Sequence, residues 1–387
     1  MANDFLPIAK PDLSDGDIAE VLDTLNSGWL VYGAKTQRFE QQFRDRVGTE
    51  HALAVSSCTA GMHLALLACG IGPGDEVITS PLTFPATANV IVLCGATPVL
   101  ADIAADDLQI DPGQIERWIT PRTKAIMPVH YAGQACDMDA INDIAHRHGL
   151  KVIEDAATAA GTRYKGRPVG GLGDATSFSF YAIKNMTTGQ GGMVTTNDPQ
   201  IAEAVSALRN HGLDNTAWNR YAAEALRAFY TITAPGFNYG MTDLQASIGL
   251  GQLARLDEFN ARRSELAARY TQLLSETLEV ETPVVRPDVE TNWHLYVVRL
   301  HLDRLKIDRD AFIAELRKRG VGTSVHYFPV HYHPYYRENY GFRPEDYPVA
   351  GAEFERLISL PLFPLMQDAD VDRVVEAIEA IVAEHRR

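Results

Sequence analysis

The chain has 387 residues, 46% hydrophobic and 22% charged, which is enough for one large domain and a smaller one and typical of a folded globular protein. Its 35 Lys and Arg against 50 Asp and Glu give a formal charge of −15, which argues against a nucleic-acid or membrane-surface role. No apolar run approaches the roughly 20 residues of a membrane span.

The opening stretch MANDFLPIAKPDL lacks the basic start and apolar core of a signal peptide. Cys58, Cys69, Cys94 and Cys136 show no CxxC or zinc spacing, so free thiols in the cytoplasm and no metal are expected. In chain order, the first element is an amphipathic helix from about Asp15. Ser14 and Asp17 form a weak capping box, Ile18, Val21, Leu22 and Leu25 recur at helical spacing, and Asn26-Ser27-Gly28 stops it. Residues 60–69 are apolar all round and read as a buried helix. Short β-rich runs follow at 76–80, 98–103, 125–131 and 151–156, separated by helical segments. One of these, Asp137 to His148, carries Met138, Ile141, Ile144 and Ala145 as its apolar face. Such alternation predicts an α/β fold with a mainly parallel sheet sandwiched by helices. The runs TSFSFYAI (176–183) and GGMVTT (191–196), joined by a Gly/Thr/Asn-rich turn, read as neighbouring strands.

After about residue 255 the character changes. A polar helix (258–276), a strand in WHLYVVRLHL, a helix at 310–319, a strand at GTSVHYF and a last amphipathic helix with Val371, Val374, Val375, Ile378 and Ile381 predict a smaller α+β domain. The division expected is 1–255 for the large domain and 256–387 for the small one.

Chemistry-bearing residues cluster in the first part. Lys184 ends the apolar run SFSFYAIK and enters the small-residue turn NMTTGQGG, where desolvation favours a neutral amine and imine chemistry. Asp155 lies at the carboxyl end of the strand KVIED, where open α/β sheets place ligand-binding groups. In SSCTAG, Thr59 and Ala60 open the buried helix and offer a hydroxyl and NH groups to a phosphate. Ser179, on the strand before Lys184, is a second phosphate donor, and Phe84 in SPLTFPATAN suits stacking on a flat ring. Singly, each has a plainer reading: a strand-end lysine, a helix-capping aspartate, an N-cap, a core phenylalanine. Together they meet the needs of pyridoxal 5′-phosphate (PLP): an amine for the aldehyde, a carboxylate for the pyridine nitrogen, a ring cover and a phosphate cradle.

Order and separation add to this. Thr59 precedes Asp155 by 96 residues, and Asp155 precedes Lys184 by 29. This arrangement resembles the large domain of fold-type I PLP-dependent transferases. Nearly end to end, the chain resembles the DegT/StrS family of sugar-nucleotide aminotransferases. The segments that carry the likeness are SGWLVYGAKTQRFEQQF, SSCTAGMHLALLA, GDEVITSPLTFPATANVI, GATPVLADI, TKAIMPVHYAGQACDMDAI, VIEDAATAAG, SFSFYAIKNMTTGQGGMVTT, LRNHG, GFNYGMTDLQASIGLGQL and GVGTSVHYFPVHYHPYY. Within the family the likeness is to enzymes acting on a UDP-4-keto sugar: the SGW, SSxTAGMH, HYAG and SLPLFP segments resemble the lipid A aminoarabinose enzyme, and HYFPVHYHPYY equally resembles the enzyme of the pseudaminic acid route.

The resemblance implies that Lys184 is the Schiff-base lysine and proton shuttle, and that Asp155 pairs with the pyridine nitrogen. It implies that Thr59, Ala60 and Ser179 hold the phosphate and that Phe84 covers one ring face, with Thr158 at the second. Asn238 would reach the cofactor of a neighbouring subunit in a homodimer with shared active sites, and His326 would line the sugar-nucleotide pocket. L-glutamate would be the amino donor in amino-sugar or surface-glycan biosynthesis. Three positions depart from the family pattern: Thr158 where His or Gln is usual, Gln190 where Glu is common, and Gly240 where Arg is frequent. Lys35, Arg209 and Arg262 are the basic residues considered for the diphosphate. A non-nucleotide keto-cyclitol as acceptor, a PLP-dependent sugar dehydratase, a non-catalytic PLP-binding or regulatory protein, and a metal site at His326, His331 and His333 are the rival readings. Lys184 argues against the dehydratase, whose type replaces the lysine with histidine.

Overall fold

The computed structural model describes residues 5–213 and 230–387. Its main sheet contains β1 (His51–Val55), β2 (Glu76–Thr79), β3 (Thr97–Leu100), β4 (Thr123–Met127) and β5 (Lys151–Ala156). The hairpin-like β6 (Arg163–Tyr164) and β7 (Arg167–Pro168) form a side ribbon, and β8 (Ala175–Ser179) and β9 (Gly192–Thr196) return to the main sheet. The strand order is β1-β9-β8-β5-β4-β2-β3. The pairs from β8 through to β3 are parallel, whereas β9 runs antiparallel to both β8 and β1.

Period-2 alternation explains why both faces are covered. Ile78, Ile126, Val152 and Met193 enter one apolar cluster, while their neighbours Val77, Met127, Ile153 and Val194 enter another. The helices that cover the sheet include α1 (Asp15–Ser27), α2 (Ala34–Val47), α3 (Cys58–Ala68) and α4 (Ala86–Leu93). The one-turn α5 (Pro112–Ile115) precedes α6 (Met138–His148), whose N-cap is Asp137 and whose buried face is Met138, Ile141, Ile144 and Ala145, as the spacing predicts. Helix α7 (Pro199–Leu208) follows β9, and α8 (Asp243–Ala254) packs on α1 and α2.

The long α9 (Leu256–Leu274) leads to a second sheet of β10 (Val280–Glu281), β12 (Tyr296–Leu300) and β13 (Leu357–Leu360), with β11 (Val289–Glu290) joining the side ribbon. Helix α10 (Arg309–Lys318), the short α11 (Pro334–Tyr340) and α12 (Pro348–Phe354), and the terminal α13 (Asp368–His385) complete the described chain. A separate core forms here from Leu266 and Tyr270 of α9, Tyr296 and Val298 of β12, Ile358 and Leu360 of β13, and Val371, Val374 and Ile378 of α13. Among the described residues, no helix is long and apolar enough to cross a membrane.

Three local expectations are corrected. The capping box at Ser14 forms, but the apolar stripe of α1 faces outward: Ile18, Leu22 and Leu25 stay about half exposed while Asp17 and Thr24 are buried. The inward face of α1 is polar because Asp17 accepts a hydrogen bond from the buried Gln252 of α8 (3.1 Å). Second, β8 ends at Ser179, so Lys184 sits in a turn beyond the strand, its NH bonded to the Tyr181 carbonyl (2.9 Å). Third, GTSVHYF is not a strand. It makes one bridge, Ser324 to Ser359, and then leaves the second sheet, where the Tyr131 hydroxyl donates to the His326 carbonyl.

Candidate active site

The floor of the site is the carboxyl end of β5. Asp155 is 4% exposed, and a buried carboxylate is costly unless its oxygens are hydrogen-bonded. Oδ1 accepts from the Ala157 NH (3.0 Å) and lies 3.9 Å from the Cys58 thiol; Oδ2 accepts from the Thr87 hydroxyl (2.7 Å). Beside it α3 begins. Its N-cap is Ser57, two residues before the Thr59 hydroxyl singled out from sequence, and Ser57 Oγ accepts from the Ala60 NH (3.1 Å). Thr59 is exposed in the first turn, Ala60 is buried, and Ser179 at the end of β8 is 8% exposed. Close approach of this turn to the sheet depends on two glycines. A Cβ at Gly61 would lie 2.4 Å from Ser177 Oγ, and one at Gly192 would lie 2.7 Å from the Cys58 nitrogen.

The Lys184 amine is held below its ordinary value mainly by burial, with Cys58 and Asp155 acting in the opposite direction. Burial, and then the nearby Asp155, push the Cys58 thiol up, so it stays protonated. Asn185, next to the lysine, is a buried hub. Its Nδ2 donates to Asn260 Oδ1 and to the Asn292 carbonyl (both 2.8 Å), and its Oδ1 lies 2.9 Å from His294 Nδ1. Because the Asn292 carbonyl can only accept, the amide orientation follows, and His294 Nδ1 carries the proton. Burial first, then the charges of Lys184 and Arg263, hold His294 well below the usual imidazole range, so the ring is neutral. His326 is likewise lowered, to about 4, by burial and Lys184; its Nδ1 lies 2.7 Å from Ser359 Oγ.

Aromatic rings line the approach. Phe84 is 59% exposed and meets Tyr327 edge-on at 5.8 Å, and Tyr327 meets Tyr131 at 6.3 Å. Burial, followed by Asp155 and Cys58, raises the Tyr327 phenol, which places this ring close to the floor. Thr158 is buried, but its hydroxyl donates to the His130 carbonyl (2.5 Å), so the group it turns toward the site is not that hydroxyl. The structure thus brings Asp155, Cys58, Lys184, Tyr327, His294 and His326 within electrostatic reach of one another.

Asn238 lies on the loop that meets the turn before α3. It is exposed and, among the described residues, paired by a bridge to Asn210, between Phe237 and Tyr239, which stack on each other at 4.8 Å and flank His63 of α3. The Tyr239 carbonyl accepts from the Ser56 NH (2.7 Å), tying this loop to the turn before α3. The three basic residues considered for a diphosphate are already engaged. Lys35 pairs with Glu20 and Asp23, the buried Arg209 with Glu40, and Arg262 with Glu265 and Asp368. In an acidic chain such cations are neutralised internally, so they are not free anion receptors.

The segment SGWLVYG is fixed from a distance. The buried Asp243 accepts from the NH groups of Gly33 and Thr36 (2.9 Å each) and of Lys35 (3.2 Å), and from the Thr36 hydroxyl (2.6 Å). Trp29 Nε1 donates to the Tyr32 carbonyl (3.1 Å), and the Tyr32 ring lies under the Arg209 guanidinium at 4.9 Å. Sequence reasoning did not single out Ser57, Thr87, Asn185, His294 or Tyr327. Ser57 could have been found as the hydroxyl just before the helical run; the others join through contacts no local pattern announces.

The donor set fits PLP. It holds an amine whose burial favours the free base, a carboxylate with hydrogen-bonded oxygens, and a helix start with hydroxyls on α3 (11 residues). An aromatic face, that of Phe84, is left open beside them. Comparisons with known proteins agree. Residues 11–379 match the model of the DegT/DnrJ/EryC1/StrS aminotransferase family. The spore coat polysaccharide biosynthesis protein SpsC of Bacillus subtilis is 50% identical over 381 residues, 98% of each chain. The putative sugar aminotransferase Spr1654 of Streptococcus pneumoniae, solved in its PLP-form, superimposes with a TM-score of 0.91 at 33% identity, over 98% of this chain and 99% of that one. The same protein has also been solved in its PMP-form. Helicobacter pylori PseC, an aminotransferase involved in the biosynthesis of pseudoaminic acid, gives a TM-score of 0.88 at 28% identity, over 98% and 100% of the two chains. The chain belongs to the DegT/DnrJ/EryC1/StrS aminotransferase family and is a PLP-dependent sugar aminotransferase.

Proposed function

We propose that the protein moves an amino group from L-glutamate to the keto carbon of a nucleotide-linked sugar, a UDP-4-keto sugar in the first instance, in cytoplasmic amino-sugar or surface-glycan biosynthesis. The observation that carries this reading is the depressed basicity of Lys184 beside the hydrogen-bonded Asp155. PLP supplies an electron sink for the charge left when a proton leaves the donor carbon. Lys184, free as a neutral amine, takes that proton and returns it one position along; on the acceptor sugar it runs the same transfer backward. Asp155 faces the pyridine nitrogen and keeps it protonated. Thr59, Ala60 and Ser179 hold the phosphate, Phe84 covers one ring face, and Thr158 lies at the other. His326, kept neutral by burial, lines the sugar pocket as a hydrogen-bonding group without charge.

Residues 1–255 form the cofactor domain and residues 256–387 the smaller one in this reading. Asn238, exposed on one protomer, reaches the cofactor phosphate of a second, so the working unit is a homodimer. The relative named for spore coat polysaccharide biosynthesis and the one named for pseudoaminic acid support a sugar destined for a surface glycan. The test is the visible spectrum of the purified protein before and after L-glutamate. A yellow band that bleaches with glutamate and returns with a UDP-4-keto sugar is expected. A band that glutamate leaves unchanged rules out this donor, and one restored by a keto-cyclitol but not by a sugar nucleotide rules out this acceptor.

A further inference from the structure

Asp155 is buried, and its side chain is oriented by few donors: the Ala157 NH and the Cys58 thiol at Oδ1, and the Thr87 hydroxyl at Oδ2. Thr87 makes the shortest of these contacts, 2.7 Å, from the first turn of α4, 68 residues away in sequence. The direction of this bond follows from elementary chemistry. An ionised carboxylate only accepts, so Thr87 donates its single hydroxyl proton to Asp155 and can only accept at its own oxygen. That oxygen lies 2.7 Å from the Thr83 hydroxyl, which is therefore the donor in that pair. The alternative acceptor for Thr87, the Phe84 carbonyl, is farther away at 3.2 Å and uncharged. Thr83 and Thr87 are both buried, and they bracket Phe84 where the loop enters α4.

We infer that Thr87 is a positioning residue for Asp155, the last member of a Thr83-to-Thr87-to-Asp155 hydroxyl chain that turns the carboxylate toward the pyridine nitrogen. The same loop then sets both the ring cover and the orientation of the group beneath the ring. Hydrogen bonds in such a chain polarise one another, so Thr83 acts through Thr87. This inference rests on the assignment of Asp155 to the pyridine nitrogen.

The test compares Thr87→Val, Thr87→Ser, Thr83→Val and Asp155→Asn with the wild-type holoenzyme. It reads kcat and KM for the glutamate half-reaction, the pH midpoint of the lysine-bound cofactor's visible band, and the melting temperature of the apoprotein. Thr87→Val removes the donor at nearly constant volume and is expected to lower kcat about 10- to 100-fold, the worth of a hydrogen bond to a charged group, with KM changed by less than about threefold. Its band is expected to titrate at higher pH, because a less protonated ring withdraws less charge from the lysine nitrogen. Thr87→Ser restores the hydroxyl and should return both readings to within about threefold of wild type, and Thr83→Val should fall between. If Thr87→Val matches wild type in kcat and band midpoint while Asp155→Asn is impaired, the inference is overturned and the site reading stands. If Asp155→Asn is itself unimpaired, the reading of Asp155 falls and this inference with it. Should Thr87→Val not fold, the contrast between Thr87→Ala and Thr87→Ser carries the same test: equal kcat and band midpoint in the two overturn it.

Discussion

At the floor of the site Asp155, Cys58 and Ser177 are each less than a tenth exposed and bonded to one another's strands and turns, whereas in the flanking loops Phe84, Tyr181 and Phe328 leave 59, 50 and 46% of their surface open. The floor is finished by the chain itself. Hydrogen bonds from its own backbone and hydroxyls hold the side chains of Asp155, Cys58 and Ser177, so a change of one atom there is felt in the chemistry. The flanking aromatics have no such completion within one protomer, and open apolar surface of this kind marks a place that something else covers. On the proposed reading of the site, reactivity and selectivity would reside in physically different materials: fixed polar contacts below, adaptable ring surface above.

The strongest way to break this division is at the floor. Lys184→Ala should lower turnover by at least about 10⁴-fold in steady-state assays while the apoprotein keeps its melting temperature, because the lysine makes no hydrogen bond through its side chain among the described residues and its burial disfavours the charged amine. Turnover like wild type in that variant would sink the assignment of the lysine.

Behind the aromatic wall, His331 is fully buried against Tyr332 and Tyr347, and neither ring nitrogen has a partner among the described residues. Burial lowers it to about 4 from an ordinary value near 6.5. The unfolded chain thus binds the proton first as pH falls, and the stability tied to the neutral ring, present above pH 6.5, is lost between about 6.5 and 4. The loss is about 3 kcal/mol. His331→Phe should flatten this part of a stability-versus-pH curve measured by denaturant melts; an unchanged acid limb would show that other groups set it.

A smaller effect belongs to the open ring. Phe84→Ala should weaken cofactor binding about tenfold, the worth of one lost stacking contact, with little change in apoprotein stability because the side chain is mostly exposed. Equilibrium dialysis with PLP reads this directly. A tighter-binding variant would mean that Phe84 obstructs the ring and does not cover it. The smallest effect is predicted at Gly240. Among the described residues a Cβ there would find only the Arg209 carbonyl, at 4.0 Å, so Gly240→Ala should lie within about 0.5 kcal/mol of wild type in chemical denaturation. A larger loss would show that this loop needs glycine for a reason outside the protomer.

Much of the scaffold was legible because burial on both faces writes a continuous apolar signature, as in KVIEDA, and because helices such as α6 carry their face and cap within one local stretch. The stripe on α1 misled for a complementary reason. Periodicity tells that one side of a helix is apolar, but not whether the chain's own core or another surface covers it, and here Asp17 and Thr24 turned inward. GTSVHYF has strand-like composition, yet a strand needs a neighbour along its length, and among the described residues this one has a bridge partner only at Ser324. Lys184 and Asp155 could be singled out because a charged group after an apolar run is locally conspicuous. Thr87 and His294 could not. Each is an ordinary residue in an ordinary stretch, and only the folded chain brings one to Asp155 and the other to Asn185, 109 residues away.

The anchoring of Gly33 to Thr36 by Asp243 spans 207 to 210 residues of sequence. During synthesis the early segment leaves the ribosome long before its anchor exists, and at typical elongation rates the interval is about 10 to 40 seconds. The first helices therefore wait, with four polar groups unclaimed, for a carboxylate that arrives when more than half the protein has been made. A chain truncated before residue 243 would carry the sheet's strands but not the means to seat its own N-terminus, so premature products are marked by a loose leading segment and finished ones by a closed one.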